Sequence, residues 1–87
     1  TNPTYLDTYG WILFEQGAYT MAKIHIEKAV EYGKDELSAE VLEHYGDILA
    51  VTGEKEKAVE QWKKAKELGS DSKTLNKKIR RKEYIKE

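Results

Sequence analysis

The chain has 87 residues, of which 36% are charged and one is proline, and its formal net charge is −1. This composition argues against disorder and predicts one small, helix-rich domain that faces water. The sequence has no cysteine, which excludes disulfides and thiolate chemistry, and no apolar run approaches the ~20 residues of a membrane-spanning helix. Because the chain begins at Thr1, directly before a helix-start signal, we expect it to be part of a longer protein.

The first predicted unit is a pair of helices over residues 2–34. Asn2 followed by Pro3 is a typical helix start, and Gly17 and Gly33 are typical helix ends. Apolar residues recur between these signals at helical spacing. The two predicted stripes are Leu6, Tyr9 and Leu13 on the first helix, and Tyr19, Ala22, Ile26, Ala29 and Val30 on the second.

The second predicted unit, residues 38–69, repeats the first at an offset of 36 residues. Ser38 is its N-cap, and Gly53 and Gly69 end its helices. Eleven residue pairs are identical, most of them apolar or small, so the repeat preserves packing. Its apolar stripes are Leu42, Tyr45 and Leu49, followed by Ala58, Val59, Trp62, Ala65 and Leu68. The small residues Gly10 and Gly46 predict close helix crossings within each pair.

The last predicted element is a C-terminal capping helix over residues 71–86, started by Ser70 or Asp71. Leu75 and Ile79 give it one apolar edge, and Tyr84 is expected on the opposite side. Residues 73–82 carry six positive charges, a pattern that can bind nucleic acid or anionic lipid. Residues 1–69 carry a net charge of −5 and no aromatic side chain interrupts the basic run, so we favour a solvated helix over a nucleic-acid or membrane contact.

The pattern resembles the tetratricopeptide repeat, a helix-turn-helix unit of 34 residues with small and aromatic residues at fixed positions. The matching residues include Gly10, Tyr19 and Ala22 in the first copy, and Gly46, Ala58 and Trp62 in the second. This chain departs from the pattern because its period is 36 residues and its closing proline is absent. The resemblance implies an all-α solenoid of five helices. The two repeats of this chain are similar to the closing repeats of longer bacterial proteins, many of which are attached to the cell envelope.

The resemblance also implies a groove, lined by the first helix of each repeat, that binds a protein or peptide. Carried over by position, the candidate partner-binding residues are Asp7, Trp11, Phe14, Glu15, Glu40, Glu43, His44 and Asp47. This groove is aromatic at one end and acidic throughout, so it suits a segment with apolar and basic residues, and Trp11 is the expected hot spot. The family's basic carboxylate clamp is argued against, because acidic residues and Trp11 occupy those places.

Two alternatives stand beside the groove. Trp11 and Phe14 can instead pack against the neighbouring repeat, and the acidic residues can form a solvated face. The chain can also be a purely structural end-piece or a self-association segment of a longer solenoid, since two repeats are fewer than the usual three.

Enzymatic chemistry gains little support from the sequence. His25 and His44 lie on different predicted helices and lack the spacing of a metal site. The carboxylates have no buried partner that the sequence identifies, and the glycines belong to turns and helix crossings. We therefore predict no catalytic residue, no metal site and no cofactor.

Overall fold

The computed structural model describes residues 3–33, 38–70 and 72–85, with side chains from residue 5 onward. The described residues form five α-helices and no strand, which confirms the all-α fold. The helices are α1 (Pro3–Glu15), α2 (Tyr19–Gly33), α3 (Ala39–Val51), α4 (Lys55–Glu67) and α5 (Leu75–Arg81).

The first four helices form two hairpins, with α1 packed against α2 (hairpin 1) and α3 against α4 (hairpin 2). Gly17, Gly53 and Gly69 follow three of the helices with φ of 84°, 92° and 90°. Only glycine adopts this left-handed conformation at no steric cost, so these three predicted helix stops are confirmed. Hairpin 2 packs on hairpin 1 chiefly through α2 and α3.

The predicted starts of α1 and α3 agree with the structure. The Ser38 hydroxyl accepts a hydrogen bond from the Val41 backbone N–H at 3.3 Å, which caps α3. Helix α1 begins at Pro3, as expected for a proline in the first turn, and its predicted cap Asn2 lies outside the described residues.

Two glycines lie at the helix crossings. A Cβ built on Gly10 would lie 3.4 Å from the Ala22 carbonyl oxygen and 3.5 Å from the Ile26 nitrogen, so α1 and α2 are close at this point. A Cβ built on Gly46 would collide with the indole of Trp62. Hairpin 2 therefore uses the space above its glycine for a side chain, whereas hairpin 1 uses it for backbone contact.

Buried apolar side chains form two clusters that α3 joins. One combines Phe14, Ile26 and Ile48 with small residues of α2, and the other surrounds Trp62 with side chains of α3, α4 and Leu75 of α5. Three residues of the predicted stripes are more exposed than the pattern indicates, because they lie at the margins of these clusters: Tyr9, Tyr19 and Leu68 are 43%, 42% and 54% exposed.

The C-terminal helix is shorter than the predicted 71–86. Helix α5 begins after Thr74 and ends at Arg81, before Lys82, which has a left-handed φ of 55°. The proposed cap Ser70 lies four residues before Thr74, and Asp71 lies outside the described residues. Because α5 stops after seven residues, the chain that follows it is free to turn back towards α1.

Candidate binding cleft

A cleft with a volume of about 760 Å³ opens between α1, α3 and the C-terminal segment 70–85. Seven of the eight candidate residues line it: Trp11, Phe14, Glu15, Glu40, Glu43, His44 and Asp47. The eighth, Asp7, is 5% exposed and contacts His44 from behind the wall. The fold thus brings together side chains of α1 and α3 that are distant in the sequence.

Aromatic rings form the α1 wall of the cleft. The Trp11 ring stacks on Phe14 with a centroid distance of 4.7 Å, and on His44 at 4.1 Å. Trp11 is half-buried, whereas Phe14 is only 5% exposed and belongs to the core. For Phe14 the structure supports the packing interpretation, since the ring supports the wall and presents little surface to a partner. Trp11 is partly exposed, so a partner can contact the remaining surface of its side chain.

Asp7 and His44 link the first helices of the two hairpins. The His44 Nδ1 atom lies 2.9 Å and 3.0 Å from the two Asp7 carboxylate oxygens. Burial opposes the charged imidazole, but the hydrogen bond to Asp7 and the charges of Asp7, Glu40 and Asp47 outweigh it and raise the pKa of His44 above its usual value. The imidazole is therefore held in place by a carboxylate and by the Trp11 ring.

A buried ionic cluster forms the opposite end of the wall. The Lys78 Nζ atom of α5 lies 2.9 Å from a carboxylate oxygen of Glu43 and 2.9 Å from Asp47 Oδ1. The Trp62 Nε1–H donates to the same Asp47 oxygen at 3.1 Å. Burial raises the pKa of Asp47 to about 6, against the effect of Lys78. For Lys78, burial acts against the charge, but Asp47 and Glu43 outweigh it and raise its pKa.

This cluster corrects two predictions. Asp47 was expected to face a partner, but it is 2% exposed because it accepts the indole N–H of Trp62 and pairs with Lys78. The basic helix was expected to be solvated, yet its Lys78 is also 2% exposed. The signal was present, because Lys78 lies three residues after Leu75 and one before Ile79, on the apolar edge of α5.

Tyr84 also differs from its prediction. It was placed on the outer side of a long helix, but α5 ends at Arg81 and the chain returns across the cleft. The Tyr84 ring meets Phe14 edge-on with a centroid distance of 5.1 Å, and Lys78 Nζ lies 5.4 Å from the Tyr84 centroid. The C-terminal segment therefore forms the third wall of the cleft.

Two carboxylates at the cleft remain without a cation. Glu15 and Glu40 are exposed, and neither forms an ion pair with any residue that the structure describes. Glu43 and Asp47 share the single charge of Lys78. The cleft therefore has an excess of negative charge, beside the aromatic ring of Trp11.

Three side chains at this wall are of types that bind divalent metals. Ligand atoms of Asp7, Glu40 and His44 lie within 4.8 Å of one another. Asp7 and His44 already satisfy each other through a direct hydrogen bond, and Glu40 is exposed. This arrangement is complete as an ion pair, so the cluster alone does not assign a metal.

Comparison of the chain with protein-family models, with curated proteins and with solved structures found no significant match. Among the helices that the structure describes, none has the length and apolar character needed to cross a membrane.

Proposed function

We propose that this protein is a tetratricopeptide-like interaction module that binds a short basic segment of a protein partner in the cleft. The observation that carries the proposal is the combination of a half-buried Trp11 with the exposed carboxylates Glu15 and Glu40 around one cleft of about 760 Å³. This volume lies in the range of sites that enclose a few side chains. The implied setting at the bacterial cell envelope stays a prediction.

Trp11 is suited to anchor an apolar side chain of the partner. Its ring is already stacked on Phe14 and on His44, so little side-chain entropy is lost when a partner packs on its remaining surface. Tryptophans that are fixed in this manner are frequent hot spots of interfaces. The wall thus combines a rigid aromatic surface with a fixed orientation.

Glu15 and Glu40 are suited to bind lysine or arginine side chains of the partner. Both lie beside Trp11 in the cleft wall, one on α1 and one on α3. Exposed carboxylates attract a basic segment over a distance of about 10 Å at moderate salt, and they disfavour an acidic one. The expected ligand is therefore a peptide with one large apolar residue next to two or more basic residues.

The test uses a panel of fluorescently labelled eight-residue peptides, each with one Leu, Phe or Trp among either basic or acidic residues. We expect the basic peptides to bind, with affinity that falls as salt is raised, and the acidic peptides to remain free. The best peptide is then titrated against Glu15→Lys/Glu40→Lys and against Glu31→Lys/Glu56→Lys. The second variant has the same change in charge, but Glu31 and Glu56 are exposed on α2 and α4, outside the cleft lining.

Reversal of the two cleft charges should weaken binding at least about tenfold, which corresponds to about 1.4 kcal/mol, and the control variant should change it less than about threefold. Equal effects of the two variants would show that the peptide follows net charge alone. No binding by any basic peptide at low salt would also rule out the proposal.

A further inference from the structure

Helix α1 exposes a row of large apolar side chains that does not line the cleft. Tyr5, Tyr9 and Ile12 follow one another at helical spacing and are 69%, 43% and 46% exposed. We call these three residues the outer face. The ring of Tyr9 meets His25 edge-on at a centroid distance of 4.7 Å, and the exposed Met21 lies one helical turn before His25. Apolar surface thus continues from α1 towards α2.

The internal repeat identifies the same face in hairpin 2. At the offset of 36 residues, Tyr5, Tyr9 and Ile12 correspond to Val41, Tyr45 and Ile48, so two of the three residues are identical. In hairpin 2 these side chains are covered, because Val41 is 6% exposed, Ile48 is 0% exposed and Tyr45 is partly buried. Equivalent positions on the first helix of each hairpin are therefore covered in hairpin 2 and exposed in hairpin 1.

Helix α2 is the element that covers the face in hairpin 2. Val41 and Ile48 belong to one buried cluster with the α2 residues Ala22, Ile26 and Ala29. The Tyr45 hydroxyl donates a hydrogen bond to a Glu27 carboxylate oxygen at 3.2 Å. The contact between α2 and α3 thus shows which kind of helix covers the equivalent face in hairpin 2.

We infer that the outer face of α1 is a docking surface for a helix with the surface chemistry of α2. Such a helix presents alanine with isoleucine or valine in a stripe, and a carboxylate one helical turn from that stripe. The carboxylate would accept from the Tyr9 hydroxyl, as Glu27 accepts from Tyr45. This surface is separate from the cleft, so the inference does not depend on the proposed function.

One ion pair of the internal interface has no counterpart at the outer face. At the rim of the internal interface, Lys23 of α2 forms an ion pair with Glu54, at the residue before α4. The residue equivalent to Glu54 in hairpin 1 is Ala18, which has no charge. A partner helix therefore gains nothing from a lysine at this point, and apolar contact with the face accounts for most of the binding.

The test joins residues 1–36 ahead of the full chain, so that an added α2 precedes α1 in the register in which α2 precedes α3. Ile12→Glu is introduced into the original α1 of this tandem chain and into the 87-residue chain. Ile24→Glu is the matched control, because Ile24 is 48% exposed and its counterpart in hairpin 2, Glu60, is itself exposed. Thermal melting followed by circular dichroism gives the midpoint for each chain.

We expect the tandem chain to melt above the 87-residue chain. Ile12→Glu should lower the midpoint by less than about 5 °C in the 87-residue chain and by more than about 10 °C in the tandem chain, where it becomes buried as Ile48 is. Ile24→Glu should have the same small effect in both chains. An equal effect of Ile12→Glu in the two chains, or a tandem chain with no higher midpoint, overturns the inference.

Sedimentation of the 87-residue chain tests whether a second copy of the chain, instead of the inferred helix, covers the outer face. A monomer over a wide concentration range supports the inference, because the face is then free for the inferred helix. A dimer that is lost with Ile12→Glu but retained with Ile24→Glu assigns the face to a second copy and overturns it.

Discussion

Hairpin 1 and hairpin 2 place their tryptophans on opposite helices, and the surroundings differ accordingly. Trp62 of α4 corresponds to Ile26 of α2, and Trp11 of α1 corresponds to Asp47 of α3. In hairpin 2 the indole is fully buried, and its N–H donates to Asp47. In hairpin 1 the indole lies in the cleft wall. The buried indole of hairpin 2 is thus satisfied by a buried acceptor, whereas the half-buried indole of hairpin 1 keeps part of its surface accessible to solvent or a partner.

The largest expected effect comes from removing Lys78, the cation that pairs with two carboxylates of hairpin 2. Lys78→Ala leaves Glu43 and Asp47 without a positive partner in a buried site, and we expect the free energy of unfolding to fall by about 3–5 kcal/mol. Urea unfolding at neutral pH measures the loss. Lys77→Ala is the matched control because Lys77 is exposed. Similar losses for the two variants would contradict the assigned role of Lys78.

The two crossing glycines sharpen the comparison. Gly46→Ala forces a methyl group against the Trp62 indole, and we expect a loss of about 1–3 kcal/mol. Gly10→Ala adds a methyl group at 3.4–3.5 Å from its neighbours, which is close to ordinary contact distance, and alanine favours a helix over glycine by about 1 kcal/mol. The second variant should therefore be neutral or slightly more stable. Thermal melts of both variants test this, and equal losses would show that the hairpins cross in the same way.

The smallest of the expected effects is a change of stability with pH that depends on His44. Since the pKa of His44 is raised in the folded protein, its bond to Asp7 contributes stability below pH 6.5, and this contribution is lost as pH rises through the folded pKa. Between pH 6 and 9 the native chain should lose about 1 kcal/mol relative to His44→Gln. His25→Gln is the matched control, because the His25 ring contacts the Met21 carbonyl. The same pH profile for His44→Gln and the native chain would exclude this role.

The sequence predicts the hairpins because their signals are local. Glycines at the helix ends, Ser38 at the start of α3 and apolar residues at helical spacing each act within a few residues. The hairpins therefore follow from spacing alone. The cleft between α1 and α3 was expected from the resemblance to the tetratricopeptide repeat, and seven of the eight candidate residues line it.

The ionic cluster was missed because it depends on contacts distant in sequence. Lys78 meets Asp47 across 31 residues, so the position of Lys78 on the apolar edge of α5 indicates its burial but does not identify Asp47 as its partner. The early end of α5 was missed because Lys82 adopts a left-handed conformation that its side chain does not favour. Tyr84 was placed wrongly as a direct result. The exposed stripe residues Tyr9 and Leu68 show that helical spacing identifies a face without showing whether another element covers it.

The position of Lys78 determines how the end of the chain unfolds. A helix of seven residues is far too short to be stable alone, and one at the end of a chain usually frays. Here, release of α5 would leave Glu43 and the buried Asp47 without Lys78 and would uncover Leu75 beside Trp62. The local opening of α5 therefore carries the cost of disrupting contacts with hairpin 2. We expect the amide protons of α5 and α4 to exchange with solvent in one common opening of the two helices. The last helix of the chain then belongs thermodynamically to its core.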